Sequence, residues 1–263
     1  MSTIESIVLS DPRDTETLIA QALSMDIDID NRRFWAVIRV LQPRFPEIFP
    51  RLQALAQESD AKSQEVAAII LGQNLQREKK LVPECTKTLS QLLHPEANAS
   101  VLYSVILSLG HLDDSSYTEL ILPYYEHTDS KVRDAVASSL KSWKGEPSIM
   151  ALIALSSDAD FDVRNWATFG LRCAIDLNVD TEEIRQALLA RLSDSEEEVR
   201  GEAFIGLVER RDSRVIEPLL AELAKQKRFP EILECIDMLN ENKQKCDVCW
   251  QPIFEALTPS QSC

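Results

Sequence analysis

Apolar and small residues recur along this chain at helical spacing, most plainly between residues 157 and 207, where one pattern is written twice. Ser157-Asp158 is followed by Val163, Arg164, Ala167, Gly170 and Leu171, and Ser193-Asp194 by Val199, Arg200, Ala203, Gly206 and Leu207, at the same offsets and 36 residues on. With the Val as position 0, residues at 0, +4, +7 and +8 form one stripe on a helix, and the Arg at +1 points off it. Small residues at +4 and +7 let another helix come close. Such self-similarity marks stacked supersecondary units, none of which buries its apolar face alone.

Fainter copies precede these two. Taking Arg33, Ser63, Val101 and Val132 as position 0 puts Val37, Val40 and Leu41, then Ala67, Ile70 and Leu71, then Val105, Ser108 and Leu109, then Val136 and Leu140 on the stripe. Between them the pattern predicts partner helices: Asp14–Met25 with Leu18, Ile19, Ala22 and Leu23 inward, Pro46–Gln57, Pro83–Leu93, Tyr117–Glu126 and Pro147–Leu155. Pro43 and Pro46 end the helix that closes at Leu41, and Gly110 closes the one from Val101. Asp180 is the expected N-cap of a helix to Leu192, and Ser195 with Glu198 reads as a capping box. Helices at Asp212–Ala224 and Phe229–Leu239 follow, and Pro252–Leu257 serves as a terminal cap. The fold class is therefore all-α: a right-handed α-solenoid of about seven stacked helical hairpins. It is read as one domain over 1–263, best defined in 127–223, with flexible ends at 1–12 and 258–263.

From Asp158 through Val163-Arg164, Ala167 and Gly170-Leu171, and again from Asp194 to Leu207, the sequence resembles HEAT repeats of the short bacterial kind, including the HEAT-like repeats named after phycobilisome lyases. The resemblance implies a ladder of hydrogen-bonded ion pairs between neighbouring repeats, built from the Asp before the second helix and the Arg after the Val. Carried over position by position, it pairs Asp158 with Arg164 and Asp194 with Arg200. The copy at 127–140 keeps Arg133 but has His127 in place of the Asp, with Asp129 two residues on.

Composition narrows the partners. The net charge is -15, and residues 146–224 carry 17 Asp/Glu against 8 Lys/Arg, a local balance of -9. Nucleic acid is bound through cations on phosphate, so it is a poor partner for this half. No apolar run is long enough for a membrane span, and the N-terminus lacks a signal peptide's basic and apolar regions, which points to the cytoplasm. Six cysteines are scattered, and Cys246-Asp-Val-Cys249 alone has metal-like spacing; without a second pair of ligands it reads as a loop with two free thiols. Cys173 and Cys235 read as small core residues. His94, His111 and His127 read as turn histidines. No phosphate loop, nucleophile elbow or His-Glu-x-x-His is present, so no catalytic residue, metal or cofactor is expected.

The binding candidates lie off the stripe, on the second helix of each hairpin, which in stacked hairpins lines the concave side. Tyr103, Asp134, Asn165, Trp166, Phe169, Arg172 and Glu202 stand there. Trp166, Phe169 and Arg172 follow one another at i, i+3 and i+6, and Trp, Tyr and Arg dominate binding hot spots. Against this, aromatics at helical spacing usually fill the seam between helices. The expected function is a non-enzymatic adaptor, a monomer or weak oligomer, docking a protein partner in its groove. A HEAT-like subunit of a bilin lyase or chaperone-type complex is the alternative.

Overall fold

The computed structural model describes residues 11–241 apart from 29, 75–78, 112–116, 142–144, 175–177 and 226–229. Among the described residues all regular elements are helical. They group into two compact units, Met1–Pro123 and Tyr124–Cys263.

In the first unit α1 (Thr15–Leu23) pairs with α2 (Arg32–Leu41), α3 (Phe45–Ala56) with α4 (Ala61–Asn74), and α5 (Val82–Ser90) with α6 (Ala99–Gly110). The second helices α4 and α6 lie directly on one another. A Cβ added at Gly72 of α4 would stand 2.2 Å from Ser108 Oγ and 3.0 Å from Ser108 Cα. That hydroxyl donates across the seam to the Ala68 carbonyl at 3.0 Å. Enclosed by neighbours, α4 is apolar almost all round, with every residue from Val66 to Leu71 buried.

Three local expectations shift here. The buried stripe of α2 is Phe34, Val37, Ile38 and Leu41, while Arg33 is exposed and Val40 half-buried; a guanidinium stays in water and the stripe moves one residue along. The segment Tyr117–Glu126 forms only α7 (Thr118–Ile121) and a 3-10 turn at Leu122–Tyr124, because Pro123 lacks the N–H a longer helix needs. Gly110 is the last residue of α6, and His111 caps it in right-handed conformation.

The second unit runs α8 (Ser130–Leu140), α9 (Glu146–Leu155), α10 (Phe161–Cys173), α11 (Glu182–Arg191), α12 (Glu197–Glu209), α13 (Ile216–Leu223) and α14 (Pro230–Glu241). Helices α8, α10, α12 and α14 pack one on the next in a layer, and α9 and α11 lie behind α10 and α12 and touch each other. The repeated stripe is the seam: Val163, Ala167, Gly170 and Leu171, and Val199, Ala203, Gly206 and Leu207, are all buried. A Cβ at Gly170 would meet Leu152 at 3.1 Å and Lys141 Cα at 3.3 Å, and one at Gly206 would meet Leu188 at 3.1 Å and Arg172 Cα at 3.4 Å. Each +7 glycine thus sits between its own hairpin's first helix and the preceding second helix. Paired helices stacked in two layers are the α-solenoid arrangement that the periodicity predicts.

Two caps differ from expectation. Thr181, rather than Asp180, caps α11 through its hydroxyl, which leaves Asp180 to arginines. Helix α12 begins from Glu196 without a side-chain cap: Asp194 Oδ1 takes the Glu196 N–H at 3.1 Å, and Ser195 Oγ donates only to the Glu196 carboxylate. The expected terminal helix Pro252–Leu257, Cys246, Cys249, Cys263 and the tails 1–10 and 258–263 lie outside the described residues.

Candidate functional site

Aspartates and arginines flanking the second helices are joined from one repeat to the next. Arg133 at the start of α8 donates from Nε and Nη2 to Asp158 Oδ2 and Oδ1 at 2.7 and 2.8 Å. Arg164 at the start of α10 does the same to Asp194 at 2.9 and 3.1 Å. Both carboxylates are nearly enclosed, at 9% and 5% exposed. Within its own repeat each arginine holds backbone instead: Arg164 Nη1 donates to the Asp158 and Ala159 carbonyls, Arg200 Nη1 to those of Asp194 and Ser195, and Arg133 Nη1 to those of His127 and Thr128. The carboxylate of Asp158 therefore belongs to Arg133, and Arg164 takes the Asp158 carbonyl. His127 in place of an Asp leaves this contact intact, because its place supplies only a carbonyl to Arg133. Burial pushes the Asp158 carboxyl up, and Arg133 with the Asp160 N–H outweighs it, so the group stays below its ordinary range. Asp194 is held down likewise, Arg164 and the Glu196 N–H overcoming burial.

A second network closes the repeat that follows. The Arg210 side chain is fully buried and donates to the carbonyls of Leu171, Arg172 and Gly206 at 2.7, 3.2 and 2.8 Å. Two of these belong to the last turn of α10, where carbonyls have no partner within the helix. Asp180 lies 3.3 Å from Arg210 Nε and also takes Arg185. Arg185 reaches on to Asp212, which Arg214 holds from the other side.

Five of the seven binding candidates lie on α10 and α12, with Asp134 on α8 and Tyr103 on α6. Trp166 is exposed at 37%, and Phe169 is half-buried beside it, edge-on with ring centroids 5.9 Å apart. Lys141 Nζ, from the C-terminal end of α8, sits 4.6 Å from the Trp166 ring centroid. Arg172 lies 6.0 Å from the Phe169 ring and pairs with Glu202 at 3.0 Å, Glu234 at 2.8 Å and Glu209 at 3.6 Å. In the alternative of seam filler against surface, Trp166 stands at the surface. Asn165 and Asp134 are half-buried, each with an enclosed Oδ1 lacking a hydrogen-bond partner. Burial first, then the charges of Asp162 and Asp160, push the Asp134 carboxyl up to about 6. Tyr103 is half-buried on α6 in the other unit. Sequence reasoning passed over Lys141, Glu209, Glu234 and Arg210. Lys141 had a signal, since it stands nine residues after Val132 as Arg172 does after Val163.

Other chemistry is sparse among the described residues. Cys85 and Cys235 are buried thiols, pushed up to about 12 chiefly by burial, and Cys173 is half-buried rather than core. His127 Nδ1 accepts the Asp129 N–H, and His94 lies 3.6 Å from Glu96. No group of ligating side chains is arranged to hold a metal among those residues. An open cleft of about 450 Å³ lies beside α13, between Phe204, Pro218 and Ala221. The carboxylates on its rim are engaged, Asp194 by Arg164 and Glu222 by Lys225.

Known proteins supply the remaining comparison. Protein YibA of Escherichia coli, in strains K12 and O157:H7, is 39% identical over 113 residues, 43% of this chain and 39% of YibA's own length. The X-ray structure of YibA matches with a TM-score of 0.70 and 26% identity, covering 99% of this chain and 98% of that one. Human deoxyhypusine hydroxylase in complex with glycerol aligns over 97% of this chain and 98% of its own at a TM-score of 0.36 and 17% identity, too slight a likeness to bear on activity. A family model for HEAT repeats fits residues 86–172 and 151–234. Since that fit takes in more than half of the sequence, and the arginine-to-aspartate steps tie its repeats together, the chain belongs to the HEAT-repeat family.

Proposed function

We propose that this protein is a non-enzymatic interaction scaffold whose partner is a protein docked on the second-helix face of the unit Tyr124–Cys263. The observation that carries this is Trp166: a large aromatic 37% exposed, steadied by Phe169 and Lys141, on a layer of helices fixed by buried seams. A rigid, amphipathic anchor of this kind gains contact area at small entropic cost. Asn165, Arg172 and Glu202 border it. The reading includes no cofactor, no nucleic acid and a cytoplasmic monomer or weak oligomer. The net charge of -15 disfavours phosphate backbones. Among the described residues no helix is long and apolar enough to cross a membrane.

The test is a double substitution, Trp166→Ala with Phe169→Ala. Immobilised parent chain is expected to capture a defined partner chain that the variant releases, with helical signal and melting temperature within a few degrees of the parent. Equal capture by both proteins refutes this docking face. A melting temperature lower by ten degrees or so would assign the two rings to the core.

A further inference from the structure

The docking face is unevenly charged, and the unevenness names a partner chemistry. At the C-terminal end of α10 a single guanidinium, Arg172, is shared by Glu202, Glu209 and Glu234. Glu231 adds a further carboxylate nearby, its side chain lying against Gly201 of α12. Glu202 is raised by burial first; Arg172 lowers it, and the charges of Glu231 and Glu234 raise it again. Beyond the aromatic pair, Asp134 feels Asp162 and Asp160. Among the described residues, Lys141 lies over the Trp166 ring and Arg172 is shared by its three glutamates. Glu234 is 48% exposed and is the most open of the three carboxylates on Arg172. The face is therefore an apolar platform flanked on both sides by excess negative charge, which repels a second copy of itself and attracts a cation.

We propose that this face binds a basic polypeptide segment, an arginine or lysine seating against Glu234 and Glu202 while an apolar residue covers Trp166 and Phe169. The inference rests on the scaffold reading above and specifies its partner. Phe169 bridges platform and glutamates, its ring centroid 5.9 Å from that of Trp166 and 6.0 Å from the Arg172 guanidinium, a span of up to about 12 Å or about three to four residues of an extended segment. The partner pattern is thus an apolar residue with a lysine or arginine about three or four positions away.

The test selects from a random twelve-residue peptide library displayed on phage against the immobilised full-length chain. Recovered peptides are then titrated by fluorescence anisotropy against the parent, Trp166→Ala, Glu234→Lys and the milder Glu234→Gln. Peptides rich in lysine and arginine are expected, and Trp166→Ala and Glu234→Lys should each weaken binding by about tenfold or more. Raising NaCl from about 50 to about 500 mM should weaken it as well. Thermal melts of each variant separate a lost contact from a lost fold. Neutral or acidic peptides that still depend on Trp166 would overturn the basic chemistry and leave the scaffold reading standing. Binding indifferent to both Trp166 and Glu234, or no peptide recovered, would overturn the inference. In the former case the face itself falls with it. Concentration-dependent dimerisation of the chain, lost in Trp166→Ala, would make the face a self-interface and likewise overturn it.

Discussion

Replacing Asp134 with asparagine is expected to stabilise the protein at neutral pH and to do nothing at pH 4. The Asp134 carboxyl has an enclosed Oδ1 without a hydrogen-bond partner, and burial, Asp162 and Asp160 push it up to about 6. An aspartate in the unfolded chain titrates near 3.9, so at pH 7 the folded state carries a charge it disfavours by about 3 kcal/mol, at 1.36 kcal/mol per pH decade. The folded state binds the extra proton between those two values. Its stability is therefore greatest below the unfolded value, falls as pH rises through the folded one, and is level above it. Asparagine removes the charge, and its amide costs about as much to bury as the protonated acid; because the carboxyl is only half-buried, solvent screens part of the penalty and the net gain is about 1–2 kcal/mol, or about 2–8 °C in melting temperature. Asn165, the equivalent residue one repeat on, shows that the site accepts the amide. Parallel circular-dichroism melts of parent and variant from pH 4 to pH 8 read the effect as a difference. Carboxylates remote from Asp134 are common to both chains and cancel. A difference in melting temperature that is the same at every pH, or a variant no more stable at pH 7, would falsify the assignment of a strained charge to Asp134.

Three further substitutions probe the seams. Asp158→Ala strips Arg133 of both its forward acceptors and should cost about 2–3 kcal/mol in urea denaturation; because the Asp158 carboxyl is held below its ordinary range, its contribution is present above about pH 4 and lost as pH falls through the depressed value, so the parent should lose more stability in acid than the variant. A variant as stable as the parent at pH 7 counts against the pairing. Gly72→Ala places a methyl 2.2 Å from Ser108 Oγ and should destabilise by about 1–3 kcal/mol even though alanine is the better helix former, with Ser108→Gly in the same chain restoring part of the loss; additive rather than compensating effects would refute the close approach. Arg210→Met removes three donated bonds to buried carbonyls and should lower the urea midpoint by the equivalent of about 1–3 kcal/mol, an unchanged midpoint showing that those carbonyls have other partners.

The seams were legible because their signal is local. Val163, Ala167, Gly170 and Leu171 lie within a single helix, and a recurrence 36 residues later requires no knowledge of what they touch. At Arg33 the same template misled, since Phe34, Val37, Ile38 and Leu41 make an equally good stripe one residue on and only solvation decides between them. The ion pairs were legible in residue type but not in partner. Every strong repeat carries an Asp before its second helix and an Arg directly after the Val, so pairing within a repeat and pairing between repeats write the same sequence. What separates them is reach: Arg164 takes the carbonyls of the turn it grows from, and the carboxylate of that turn is left facing the second helix of the preceding repeat. Arg210 left no pattern at all, since a buried arginine donating to backbone needs no particular side chain opposite it.

The position of Trp166 follows from a register that the sequence contains but that periodicity alone does not expose. Lys141 and Arg172 both stand at +9 of their helices, and Trp166 and Glu202 both stand at +3 of the next. Lys141 over the Trp166 ring and Arg172 on Glu202 are thus one contact made twice. The +9 cation of one repeat meets whatever the following repeat presents at +3, a ring face in the first case and a carboxylate in the second. A residue at +3 therefore faces the last turn of its neighbour, beside the seam and not within it. An indole is too large to be enclosed there and overlies the joint, partly in water, and its exposure is in this sense a consequence of its position in the repeat.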